Sequence, residues 1–195
     1  MSRTVLLALH YQNDVMHPAG RIRLGTDDET RRARLIDAAH ALLSRARAAA
    51  LPIIHVRIAF PPGYRGVQTN APIFVDVVAS GAMQEGSWGA EFFEGLEPRT
   101  GEPVVTHCRV NAFFDSPLAQ TLRELDAVRL VMAGVATNSV VEHSARHAAD
   151  LGFEVVVAAD ACSAADPAVH DAALFNLSLV GKVSTVDAIF AEAGE

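Results

Sequence analysis

The chain has 195 residues, half of them hydrophobic, and a formal net charge of −7 at pH 7. This length suits one domain spanning residues 1–195, and such a domain buries roughly 70% of the surface of its unfolded chain. The negative charge argues against a nucleic-acid-binding surface, and no apolar run approaches the roughly 18 residues needed to span a bilayer.

The N-terminal apolar run and the cysteines bear on the cellular compartment. Residues 4–9 are too few for the apolar core of a signal peptide, lack a cleavage site and continue as a strand pattern, so we expect a cytoplasmic protein. Cys108 and Cys162 suit a reducing compartment and predict neither a disulfide framework nor a cysteine-based metal site. Lys182 is the single lysine among 16 basic residues.

Short apolar runs alternate with longer stretches of helical periodicity, which is typical of a parallel sheet covered on both faces. The predicted strands are residues 4–9, 52–58, 104–106, 129–133, 154–158 and 183–185. Helical patterns cover residues 29–50, 116–125, 138–150 and 167–179, with a short helix after Thr185. Thr26 and Glu29 have capping-box spacing at the first helix. The sequence therefore predicts a three-layer, Rossmann-like α/β domain with a six-stranded, mainly parallel sheet.

Residues 59–98 form a long connection between two predicted strands. They contain Pro61-Pro62-Gly63, Gly66, Gly81 and Ser87-Trp88-Gly89. Connections of this length inside a compact domain are usually functional. We therefore expect this segment to form the wall or lid of a pocket.

Polar residues follow three predicted strands, at the sheet edge where open parallel sheets bind ligands. Residues 10–14 follow the first strand, residues 107–109 the third, and residues 134–138 the fourth. The last group opens a helix whose free N–H groups favour an anion or a developing oxyanion. The sequence therefore predicts a site where these three segments meet.

Five segments, taken in order, resemble those of a known family. They are residues 6–14, Trp88-Gly89-Ala90-Glu91, residues 107–113, residues 134–149, and Asp160-Ala161 with His170 downstream. The chain is similar through these segments to the isochorismatase-like cysteine hydrolases. In that family the first segment carries a catalytic aspartate, the third a lysine and the fourth the nucleophilic cysteine.

The resemblance implies that His10 replaces the aspartate, His107 the lysine and Val140 the cysteine. In the family the aspartate takes the thiol proton, the lysine steadies charge, and the cysteine attacks an amide-like carbon. A valine cannot attack a carbonyl, so the resemblance implies an active-site frame without its thiol. The family's cis peptide bond would fall at Val135-Ala136, and its oxyanion hole of backbone N–H groups would lie near Ala136 and Val140.

His10 and His107 are the candidate catalytic residues, because imidazole titrates near neutrality and serves as acid or base without a metal. The alternative is that both are relics that fill polar space in an inactive site. Val140 and His143 stand at i and i+3, with Ser144 at i+4, so they are expected to share a helix face. His10, His107 and His143 together would make a three-histidine metal site, but their unconnected segments argue against it. We expect no metal and no cofactor.

The candidate substrate-binding residues are Trp88, Arg109, Phe113, Ala136, Asn138, Val140 and His143. Trp88 and Phe113 are either aromatic pocket walls or core packing, and His143 either lines the pocket or is structural. Arg109 either binds a substrate carboxylate in bidentate fashion or pairs with Glu91 or Asp115.

Two further side chains near the expected site are not predicted to be nucleophiles. Cys108 should face away from the site, because adjacent side chains of a strand point in opposite directions. The spacing of Ser139 and Glu142 is typical of a helix cap.

These features favour an enzyme that acts on a small organic molecule by histidine acid–base chemistry. His10 would be the general base, and His107 would donate a proton or steady an oxyanion. Hydrolysis, elimination and isomerisation all remain open. The alternative is an inactive family member that serves as a small-molecule binding protein, a regulator or a partner subunit. The resemblance implies a homodimer or larger homo-oligomer, and no nucleic-acid or membrane partner is expected.

Overall fold

The structure, a computed structural model, describes residues 3–22 and 28–192. Its strands are β1 (Thr4–Leu9), β2 (Ile53–Ile58), β3 (Val104–His107), β4 (Arg129–Gly134), β5 (Glu154–Ala158) and β6 (Lys182–Ser184). They form one sheet in the order β3-β2-β1-β4-β5-β6, and every neighbouring pair is parallel. The predicted α/β class and six-stranded sheet are confirmed, and the sheet is wholly parallel.

Helices connect and flank these strands. They are α1 (Asn13–Met16), α2 (Glu29–Ala48), α3 (Pro72–Ser80), α4 (Leu118–Glu124), α5 (Glu142–Asp150), α6 (Pro167–Leu177) and α7 (Val186–Glu192). Helix α2 contacts α7, and α5 contacts α6. Because crossovers between parallel strands are right-handed, a strand order that reverses at β1 places these two helix pairs on opposite faces of the sheet. In the described ranges, no helix combines the length and hydropathy needed to cross a membrane.

The start of α2 differs from the prediction. Asp28 is the N-cap residue, and its side chain accepts a hydrogen bond from the backbone N–H of Arg31 at 2.9 Å. Aspartate at this position satisfies one of the free N–H groups of the first turn. Thr26, which the capping-box prediction used, lies outside the described residues.

Helix α3 was not predicted, although its end signals are present in the sequence. Pro72 occupies the first turn, where its missing N–H costs no hydrogen bond. Gly81 ends the helix in the left-handed conformation, at φ 68°. The prolines and glycines on either side led us to treat all of residues 59–98 as a connection without regular structure.

The two central strands, β1 and β4, end next to each other at the site. Val5 to Leu9 of β1 are at most 1% exposed, as expected of a strand covered on both faces. At the end of β4, a Cβ atom on Gly134 would overlap the carbonyl group of Leu9. Glycine therefore lets the chain leaving β4 pass close to the end of β1, where His10 follows.

A separate buried ion-pair network lies beside β2. Arg47 donates to the two carboxylate oxygens of Glu102 from Nε at 2.7 Å and from one terminal nitrogen at 2.8 Å, and Oε2 of Glu102 lies 2.8 Å from Nε2 of His55. The Arg47 hydrogen bond is the main cause that lowers the pKa of Glu102 to about 2. His55 is thus part of a structural network, in agreement with its place in an apolar strand.

Candidate functional site

The site is centred on two histidine rings that meet across the carboxyl edge of the sheet. Nε2 of His10 lies 2.6 Å from Nε2 of His107, and the ring centroids are 4.8 Å apart with an interplanar angle of 25°. Residue 10 follows β1 in the left-handed conformation, at φ 58°. Histidine, asparagine and aspartate tolerate this conformation better than most residues. Two nitrogens this close must share one proton, since one must donate and the other accept.

Burial keeps both rings uncharged at neutral pH. His10 is 6% exposed and His107 is 3% exposed. Burial, and then the neighbouring His107, hold the pKa of His10 well below its ordinary value, while the backbone of Val135 partly opposes the shift. Burial lowers the pKa of His107 to about 4. A neutral imidazole keeps a lone pair, so at pH 7 both histidines are in the unprotonated form that a general base requires.

A cavity of about 170 Å³ opens in front of His10. Its wall is mostly apolar, and Phe60, Ile73, Phe74, Val77 and Met83 all come from the segment 59–98. This confirms the expected pocket wall, and α3 supplies its centre. His10 lines the cavity and His107 does not. The structure therefore brings the two histidines together, but of the two only His10 lines the cavity, whereas the prediction gave both a role at the substrate.

Arg109 is the charged residue at the cavity. Its guanidinium carbon lies 3.8 Å from the centroid of the Phe74 ring, a cation–π arrangement. It donates to Oδ1 of Asn70 at 2.9 Å and to the carbonyl of Gln68 at 3.3 Å. Within the described ranges, Arg109 forms no ion pair with Glu91 or Asp115. It retains N–H groups that can bind a carboxylate.

The turn after β4 forms the opposite wall. Ala136, Asn138 and Ser139 line the cavity, as predicted for the first two, and the peptide bond Val135-Ala136 is cis, as predicted. Ser139, which we predicted only as part of a cap, contributes a hydroxyl group there and makes no side-chain cap bond. Val140 is 1% exposed and does not line the cavity.

The predicted common face of Val140, His143 and Ser144 is wrong for His143. Residues Thr137–Val141 form a π turn, in which the N–H of Val141 donates to the carbonyl of Ala136 at 3.3 Å. A π turn holds an extra residue, so positions four apart share a face and positions three apart do not. Ser144 is accordingly buried, whereas His143 is exposed and lies outside the cavity lining.

Two predicted aromatic contacts lie elsewhere. Trp88 is 48% exposed and packs edge-on against His17, with centroids 5.0 Å apart. Phe113 is buried and stacks on His147 at 5.1 Å. Neither side chain lines the cavity, so both belong to packing around the site.

The segment that follows His10 anchors the cavity wall. The side chain of Gln12 donates to the carbonyls of Ile58 and Ala90 at 2.9 and 2.8 Å, and accepts from the N–H of Ile58. Asn13 donates from its side chain to the carbonyl of Trp88 at 2.9 Å. These buried amides hold the two ends of the long segment against β1.

Asp14 completes this anchor. Its carboxylate accepts from the N–H of Met83 at 2.7 Å and from the N–H of Arg21 at 3.0 Å. A Cβ atom on Gly89 would overlap the same carboxylate. Residues 12–14 therefore act as structural anchors of the wall.

The structure does not assemble the three-histidine set. Among residues 3–22 and 28–192, no group of three or more histidine, cysteine or acidic side chains is placed to hold a metal ion. The cysteines lie outside the cavity lining as well. Cys162 is buried, and burial is the main cause that raises the pKa of its thiol to about 12.

Comparison with known proteins decides the family. The isochorismatase domain matches residues 4–188. The chain belongs to the isochorismatase family. Ureidoacrylate amidohydrolase RutB from Stutzerimonas stutzeri is 31% identical over 213 residues, covering 100% of this chain and 85% of the relative. The isochorismatase family, to which this chain belongs, therefore includes hydrolases.

Solved structures of the isochorismatase family share the fold. An isochorismatase family protein from Desulfovibrio vulgaris superposes with a TM-score of 0.88 at 23% identity over 100% of both chains. N-carbamoylsarcosine amidase from Thermoplasma acidophilum superposes with a TM-score of 0.75 at 20% identity, covering 96% of this chain and 98% of that one. At these identities the similarity establishes the three-layer α/β architecture.

Proposed function

We propose that the protein is a hydrolase that acts on a small organic molecule through His10, with His107 as its proton-sharing partner and without a cysteine nucleophile. The observation that carries this proposal is the 2.6 Å contact between the two Nε2 atoms, with His10 lining an apolar cavity that His107 does not line. Membership of a hydrolase-containing family supports hydrolysis over the other reactions that histidine pairs catalyse.

The shared proton gives His10 two states. When His10 donates from Nε2 to His107, its Nδ1 carries a lone pair and can take a proton from water. When His107 donates instead, Nδ1 of His10 carries hydrogen and can protonate a leaving group. Uptake of a proton at Nδ1 of His10, coupled to transfer of the Nε2 proton to His107, leaves His10 neutral with hydrogen on Nδ1 and His107 as the imidazolium. The reverse transfer lets His10 give the Nδ1 proton to a leaving group.

In the proposed reaction, water is the nucleophile. His10 takes one proton from the water molecule as its oxygen adds to an amide-type carbonyl carbon. The C–N bond then breaks, and the proton held by His10 passes to the leaving nitrogen. Backbone N–H groups near Ala136 are the candidate donors to the oxyanion, as the family resemblance implies.

The cavity limits the substrate class. Its apolar wall suits a molecule with an apolar body, and Arg109 at the rim suits a carboxylate or another polar end. The cavity volume of about 170 Å³ suits a small molecule.

The second candidate is a binding or partner-subunit role without turnover. The burial of Val140 and the largely apolar lining favour it, because both are expected of a pocket that holds a ligand without attacking it. The exposed Phe175 and Leu179 near the end of α6 support the proposed homo-oligomer, since large apolar side chains in solvent often mark interfaces.

The test is turnover of a panel containing ureidoacrylate, N-carbamoylsarcosine and isochorismate by the wild type and by His10→Asn. Asparagine tolerates the left-handed backbone at this position, so the variant should fold. Loss of a general base should reduce kcat by about 10²–10⁴-fold. Cys108→Ser and treatment with iodoacetamide should leave turnover unchanged.

Each other outcome has a definite meaning. Turnover that survives in His10→Asn, or that is lost in proportion to thiol alkylation, would refute the mechanism. Saturable binding of a panel member without turnover, weakened in Arg109→Gln, would establish the binding role instead.

A further inference from the structure

A second cleft lies behind the turn that forms one wall of the main cavity. Its volume is about 230 Å³, and it shares no lining residue with the main cavity. Arg31, Arg34, Ser163 and His170 provide its polar surface, together with the carboxylate of Asp160. Neither the family resemblance nor the proposed reaction gives these residues a role as a group.

Two arginines bring positive charge to this cleft from α2. Arg31 and Arg34 are three residues apart and lie on one side of the helix. Arg31 uses one terminal nitrogen to donate to the carbonyl of Ala164 at 3.0 Å and keeps its other side-chain N–H groups. Arg34 is exposed and has no side-chain partner in the described part of the chain. Guanidinium donors of this kind are suited to carboxylate and phosphate oxygens.

Ser163 adds a hydroxyl group to the cleft. The residue is only 7% exposed and lines the cleft, yet its hydroxyl has no hydrogen bond to the residues described. This hydroxyl can therefore donate a hydrogen bond to a ligand oxygen in the cleft.

His170 provides a fourth donor. Its Nδ1 lies 2.7 Å from the hydroxyl oxygen of Thr137, which leaves Nε2 for a ligand. When the Thr137 hydroxyl donates to Nδ1, Nε2 carries the hydrogen. The one carboxylate of the cleft, Asp160, accepts from the N–H of Val186 with both oxygens, at 2.9 and 3.2 Å. This backbone donor offsets part of its charge, and the two arginines outweigh the rest.

We propose that this cleft binds a small oxyanion, the carboxylate or phosphate group of a small molecule, between Arg31, Arg34, Ser163 and His170. The bound group would contact residues that hold the turn after β4 in place. The N–H of Thr137 donates to the carbonyl of Ser163 at 2.8 Å, and the next two residues, Asn138 and Ser139, line the main cavity. An oxyanion in the cleft therefore braces the turn from the side opposite the substrate.

The test is titration of the full chain with inorganic phosphate and, separately, with acetate, at constant ionic strength. Binding is measured by calorimetry and by the rise in Tm. We expect saturable binding of at least one anion, weakened about tenfold in Arg34→Gln and reduced in Ser163→Ala. The tighter of the two anions identifies the ligand class.

Two arginine variants are the controls: one for the loss of a positive charge, and one for binding of the anion at the main cavity instead of the cleft. Arg123→Gln removes an exposed arginine of α4 that has no side-chain partner in the described ranges, and it should bind as the wild type does. Arg109→Gln should also leave binding intact, because Arg109 lies at the main cavity. Absence of saturable binding, equal binding by Arg34→Gln and Arg123→Gln, or loss confined to Arg109→Gln would each overturn the proposal.

Discussion

The burial of His107 predicts a particular dependence of stability on pH, tested by His107→Leu. The folded-state pKa of His107 is about 4, against an ordinary value of 6.5. Below pH 6.5 the unfolded chain binds a proton that the folded chain excludes, so stability falls as the pH falls. With these two pKa values, the loss from His107 between pH 8 and pH 5 is about 2 kcal/mol.

His107→Leu should be less stable than the wild type at pH 8, and this difference should become smaller at pH 5. At pH 8, His107→Leu leaves Nε2 of His10 buried without a partner, which should lower the free energy of unfolding by about 1–3 kcal/mol. At pH 5 the wild type has lost its own 2 kcal/mol or so, and the variant has not. The difference between the two proteins should therefore narrow by about 2 kcal/mol, or about 4–8 °C in Tm for a chain of this length.

Urea unfolding at a series of pH values provides the measurement, provided that the m-value is unchanged. His143→Gln is the matched control, because it removes an exposed histidine and should track the wild type throughout. A difference between wild type and His107→Leu that stays constant from pH 8 to pH 5 would refute the reasoning. It would mean that His107 titrates in the folded protein as it does in the unfolded one.

Three further predictions concern the rest of the structure. Gly89→Ala should lower the free energy of unfolding by about 3 kcal/mol, because the added Cβ overlaps the Asp14 carboxylate; a thermal melt with near-wild-type Tm would contradict this. Iodoacetamide at pH 8 should label Cys108 and leave Cys162 unmodified in a peptide map, since a thiol pKa of about 12 leaves almost no thiolate. Glu102→Gln should destabilise the protein by about 2 kcal/mol at pH 7, measured by urea unfolding. Because the pKa of Glu102 is lowered to about 2, its contribution is present above pH 4.5 and is lost as the pH falls toward 2, so the difference should shrink in acid.

The sheet could be predicted because its strands are short apolar runs, and burial on both faces gives such runs a clear pattern. Strands β1 and β5 match the predicted bounds, and the others differ at their ends by one residue. Helix α3 was missed because its nine residues lie between proline and glycine signals that also mark loops.

Which side chains meet in the site was harder to predict from the sequence. Strands β1 and β3 are separated by β2, so their backbones are about 9.5 Å apart, and no local pattern reveals that side chains at their ends touch. His10 and His107 meet because residue 10 leaves the strand in a left-handed conformation. The exposure of His143 depended on a π turn, which changes the helical phase without a recognisable sequence signal.

Because Gln12 and Asp14 hold the cavity wall through its backbone, the sequence of that wall can change independently of the His10–His107 pair. Gln12 and Asp14 fix residues 58, 83 and 90 by hydrogen bonds to backbone groups, and at residues 58 and 83 proline alone would lack the N–H that donates. The stretch between them, including α3, can therefore be replaced in sequence while its end points stay in place. The His10–His107 pair would then face a new wall. Under the proposed function, a library confined to Ile73, Phe74 and Val77 would change substrate choice while the pair stays unaltered.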